Sequence, residues 1–177
     1  MTFLAAVYRS QGRFAQAEQL YTRVLQGRRR VLGDGSPEAL MTMGSLASLY
    51  LSLGSYSQAE PLVREALARY DKTAPDNWRR YESQSMLGAI LTAQKNYDSA
   101  EALLLSGYRG MLEREATIRA FERVELGQAG KWIVQLYQDW GRQEKAAEWR
   151  EKLQLRKPKF GAHAGIPRSR LQMEPRP

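Results

Sequence analysis

GSYSQAEPLVREAL, residues 54–67, has a near copy in GRFAQAEQLYTRVL at 12–25 and a third in KNYDSAEALLLSGY at 95–108. A weaker echo, GRQEKAAEWREKLQ, fills 141–154. Counted between Gly12, Gly54, Lys95 and Gly141, the intervals are 42, 41 and 46 residues. Self-similarity at such a spacing means one supersecondary unit stacked on itself. Upstream the match continues through Leu4-Ala5 with Tyr8, Leu46-Ala47 with Tyr50, Leu87-Gly88 with Leu91, and Ile133-Val134 with Tyr137. Downstream an aromatic residue recurs at Phe14, Tyr56 and Tyr97, and a small one at Ala17, Ala59, Ala100 and Ala146.

Apolar residues on both sides of each turn recur at i, i+3, i+4 and i+7, which is helical periodicity. Each unit is therefore a helix, a short turn and a second helix, and the fold class is all-α: a solenoid of stacked antiparallel helix pairs. The units run from about 1–33 (truncated), 37–73, 78–115 and 119–155. The small residue lets the two helices of a pair approach, and the large apolar residue at the Tyr50 position fills the space beside it. Glycine at the turn ends the first helix because it accepts a left-handed backbone at little cost. Between units, Gly33 stops one helix, Ser36 caps the next and Pro37 opens it. Ser57-x-x-Glu60 and Asp98-x-x-Glu101 have the form of capping boxes. On that reading Glu18, Glu60 and Glu101 serve first-turn amides rather than catalysis.

Composition narrows the chemistry. The chain of 177 residues has no cysteine and one histidine, His163. Disulfides, thiolate chemistry and histidine-rich metal sites are thereby excluded. The N-terminus lacks a secretory signal, and no window approaches the ~20 apolar residues of a membrane span, so the expected compartment is cytoplasmic. The net charge is +8, of which residues 156–177 supply six basic side chains against one acid, Glu174. That segment also holds four of the seven prolines and reads as a disordered basic tail. Arg28-Arg29-Arg30 falls in the last turns before Gly33, where cations complement a helix end. Of Trp78, Trp132, Trp140 and Trp149, Trp132 is the one expected to be exposed. No phosphate loop or nucleophile–base pair is visible, so neither catalysis nor a cofactor is expected.

The pattern of small and aromatic positions resembles the tetratricopeptide repeat family. QGRFAQAEQLYTRVLQGRRRVLGDGSPEAL and LASLYLSLGSYSQAEPL are similar to its kinesin-light-chain-type variant. WRRYESQSMLGAILTAQKNYDSAEALLLSGYRGMLER, with WIVQLYQDWGRQEKAAEWREKL, resembles the last repeats of long bacterial arrays often attached to serine/threonine protein kinases. The resemblance covers roughly residues 3–155 and implies a non-catalytic protein–protein interaction or scaffold module. An alternative it carries is the regulatory region of a kinase whose catalytic domain lies outside these residues. A weaker one is electrostatic nucleic-acid binding by the tail.

In the family the first helix of each pair lines a concave, peptide-binding surface. The carried-over positions are Thr2, Phe3, Ala6 and Arg9, then Met41, Gly44, Ser45, Ser48 and Ser52. They continue with Glu82, Ser85, Met86, Ala89 and Thr92, and with Gln128, Lys131, Trp132, Gln135, Gln138 and Asp139. The partner-binding candidates among them are Arg9, Ser45, Ser48, Ser85, Thr92, Lys131, Trp132, Gln135, Gln138 and Asp139. By the same resemblance Phe3 and Val7 touch a preceding unit. The chain then reads as the C-terminal part of a longer array, with an N-terminal edge open to self-association.

Overall fold

The computed structural model describes residues 1–155, and the expected basic tail at 156–177, with His163, lies outside them. Eight α-helices follow one another: α1 (Thr2–Ser10), α2 (Phe14–Leu32), α3 (Pro37–Ser52), α4 (Tyr56–Thr73), α5 (Trp78–Ala93), α6 (Tyr97–Glu113), α7 (Arg123–Asp139) and α8 (Gln143–Leu155). Two single-turn 3-10 helices, Glu115–Thr117 and Ala120–Glu122, bridge α6 to α7. There is no strand among the described residues, and each helix packs on the next, making the expected solenoid of antiparallel pairs. No described helix is long and apolar enough to cross a membrane.

The four turns share one backbone geometry. Gly12, Gly54, Lys95 and Gly141 take φ of 73°, 69°, 62° and 77°. The next amide then bonds back to the carbonyl five residues earlier: Arg13 to Tyr8 at 2.9 Å, Ser55 to Tyr50 at 2.8 Å, Asn96 to Leu91 at 2.9 Å and Arg142 to Tyr137 at 2.8 Å. This is a Schellman closure, and it needs the left-handed residue. Between units, Gly33 stops α2 at φ 88°, and Ser36 caps α3 by accepting from the Ala39 amide at 3.3 Å, with Pro37 leading.

The two capping boxes do not form. The Schellman bond places the start of the second helix at Tyr56 and Tyr97, so Ser57 and Asp98 already lie within the first turn. The residues in the cap position, Ser55 and Asn96, make no side-chain cap bond. The glutamates reach across to the following unit instead. Glu18 accepts from the Tyr50 hydroxyl at 2.7 Å and Glu101 from the Tyr137 hydroxyl at 2.6 Å. Glu60 accepts from Gln94 at 2.8 Å, since the matching position there is Leu91.

Apolar burial divides into two clusters, one around Tyr21, Met43, Leu49, Val63 and Ile90, the other around Leu104, Met111, Ile133 and Tyr137. Leu103 and Trp132 pack against both. The tightest pair is α5 with α6: a Cβ on Gly107 would lie 2.7 Å from the Tyr81 carbonyl oxygen, and one on Gly110 would strike the Tyr81 ring. The arginine run acts less at its own helix end than between units. Arg28 donates to Thr42 at 2.6 Å and Arg29 pairs with Glu65 at 2.7 Å.

Candidate functional site

Because α5 and α7 touch as well as their sequence neighbours, the first helices of the units form one wall. Two clefts open on it. One, of about 360 Å³, is bounded by α5 and α7 with Thr92, Lys131, Trp132, Gln135 and Asp139. The other, of about 460 Å³, is bounded by Arg9, Ser48, Val124 and Glu125. They share Leu51, Gln128 and Trp132, so they are two ends of one groove with the indole at its middle.

Trp132 is half-buried rather than exposed, wedged between the two core clusters. Each end of the groove carries one cation and one anion. At one end Arg9 donates to the Ser48 hydroxyl at 3.1 Å. Burial pushes the Glu125 carboxyl there above the ordinary range, with Arg9 and Arg79 opposing and Glu122 adding to the shift. At the other end Asp139 accepts from Gln135 at 2.7 Å, and Lys131 stands exposed on the same helix. Thr92 is 5% exposed, its hydroxyl donating to the Gly88 carbonyl at 2.9 Å, so it contributes floor rather than a free donor.

Three other candidates sit outside the clefts. Ser45 is half-buried and bonded to the Met41 carbonyl, and Gln138 is exposed beyond the rim. Ser85 is fully buried against Gly107 of α6 and presents no surface to a partner. Glu82, carried over as a groove position, is buried beside Arg79 at 3.2 Å. Sequence reasoning passed over Phe14, Leu51, Tyr56 and Glu125 as lining residues. The signal was present for two of them: the aromatic residue after each turn remains 38% exposed at both Phe14 and Tyr56.

A tetratricopeptide repeat family model matches residues 1–72. Those residues are tetratricopeptide repeats by sequence, and the helix pairs that follow continue the same fold. The array is similar to the crystal structure of BtubC (BKLC) from P. vanneervenii, at 18% identity and TM-score 0.67, covering 99% of this chain and 69% of that one. It is also similar to a putative kinesin light chain with nearly identical TPR-like repeats from Podosopora anserina, at 20% identity, TM-score 0.55, and 87% and 92% coverage. At these identities the likeness is one of fold. No curated protein matches the chain. The described part of the tetratricopeptide array holds no group of three His, Cys, Asp or Glu side chains placed to bind a metal ion. Its groove can offer apolar contact, hydrogen bonds and opposed charges.

Proposed function

We propose that the chain is a non-catalytic interaction module that holds an extended protein segment in the groove centred on Trp132. The observation that carries this reading is the sharing of Trp132, Leu51 and Gln128 by two clefts. Stacked hairpins make a curved surface along which a chain segment can lie without chemistry being done on it. A half-buried indole flanked by charges at both ends suits an anchor residue with polar neighbours, the usual distribution of binding energy at interfaces. The partner is then a peptide segment with one large apolar residue between charged ones.

Random-peptide display on the full chain, counter-screened on Trp132→Ala, tests this. The expected result is a set of peptides sharing a central apolar residue, each losing most of its affinity for Trp132→Ala. Selected peptides that bind Trp132→Ala as well as the parent would place the binding surface elsewhere.

A further inference from the structure

The donors at the Arg9 end of the groove are unevenly shared. Three carboxylates stand close there: Glu82 on α5, Glu122 in the turn before α7, and Glu125 on the first turn of α7. Arg79 has both terminal nitrogens engaged, one with Glu82 at 3.2 Å and the other with Glu122. Arg119 donates twice to Glu122, and Arg9 donates to the Ser48 hydroxyl at 3.1 Å. Glu125 has no hydrogen bond or ion pair among the described residues.

Glu125 is also the acid of the three that lines the cleft, together with Phe14, Val124 and Trp132. Val124 is 66% exposed, so open apolar surface leads up to a carboxylate without a donor. The titratable groups acting on Glu125 from the packed elements are Arg9 of α1, Arg79 and Glu82 of α5, and Glu122. It acts in turn on the buried Tyr21 hydroxyl of α2. Burial raises its carboxyl, and the arginines attract it without bonding to it. A half-buried acceptor in that state gains most from a ligand that brings a donor.

One kind of side chain fits both features: an apolar stem to lie on the rings and the valine, ending in a cation that donates. Lysine and arginine have that form. An acidic side chain would bring a fourth carboxylate into the cluster. Resting on the reading that the groove centred on Trp132 holds an extended segment, we propose that this segment carries a lysine or arginine beside its apolar anchor, and that Glu125 receives its charged end.

The probe is a displayed library of nine-residue peptides with tryptophan fixed at the centre and the other positions random. It is selected in parallel on the full chain, Glu125→Gln, Glu125→Asp and Trp132→Ala. Peptides selected on the parent should share a lysine or arginine at one recurring position. Synthetic copies in which norleucine replaces that residue, keeping the stem without the charge, should bind the parent about tenfold more weakly. That loss should vanish on Glu125→Gln and persist on Glu125→Asp, with the norleucine copies binding the parent and Glu125→Gln alike. It should also grow as pH rises, because a raised carboxyl ionises later. Trp132-dependent peptides with no recurring basic residue, or an equal norleucine loss on Glu125→Gln, would overturn this inference and leave the groove reading standing. An empty selection, or peptides that bind Trp132→Ala as well as the parent, would overturn both.

Discussion

The Tyr137 hydroxyl stands 2.6 Å from a Glu101 carboxylate oxygen across the seam between α6 and α7, and Lys145 of α8 reaches the same oxygen at 3.0 Å. One acid thus ties three helices together. The Tyr137 bond first, then Lys145, hold the Glu101 carboxyl below its ordinary range, while burial opposes them. Tyr137→Phe should lower stability by about 1 kcal/mol, and Glu101→Gln by a similar amount, with the double variant less destabilised than the sum. Chemical denaturation of the four chains measures this. Strict additivity would mean that the bond contributes nothing to the seam.

Close approach of α5 and α6 makes a second set of variants informative. A methyl group at Gly107 would press on the Tyr81 carbonyl and the Ser85 side chain. Gly107→Ala should cost on the order of 2–3 kcal/mol through overpacking. Gly44→Ala, where the added carbon meets nothing within 4 Å, should instead gain up to ~1 kcal/mol from helix propensity. Midpoints shifting in the same direction for both would sink the packing argument.

Lys95 is the one described non-glycine residue with positive φ, at 62°. An L side chain in that region costs on the order of 1 kcal/mol. Lys95→Gly should therefore raise the unfolding midpoint, whereas Gly54→Lys, the reverse change at φ 69°, should lower it. Equal midpoints for the parent and Lys95→Gly would show that the turn holds no strain.

Burial raises the Glu82 carboxyl to about 7, opposed by Arg79 and reinforced by Glu125 and Glu122. A carboxyl whose folded value lies above its unfolded one favours the native state in its protonated form. Its contribution is complete below the ordinary carboxylate range and is lost as pH rises through about 7. Glu82→Gln should accordingly gain stability relative to the parent between pH 5 and pH 8, by on the order of 2 kcal/mol. A difference between the two chains that does not change with pH would mean that Glu82 ionises normally.

The fold was legible because its punctuation is local. Glycine at 12, 54 and 141, and Gly33, Ser36 and Pro37 between units, each act on neighbours within a few residues, so their chemistry can be read in place. The glutamates were misread for the opposite reason. Glu18 and Glu101 find partners more than thirty residues away, and a motif one turn long gave them a nearer and mistaken role. Arg9, Lys131 and Trp132, carried over from the family resemblance, line the two clefts. Ser85 does not, because the glycines that draw α6 onto it lie in another helix, and neither sequence alone indicates how close the two will come.

Trp132, packed against both clusters, is also a point where the two halves of the core meet. In a stack of hairpins each unit touches mainly its neighbours, so a change at one seam passes to the next unit through that seam. A segment seated on the indole, as proposed, would therefore rest against both halves of the core at once, and filling the groove would couple them.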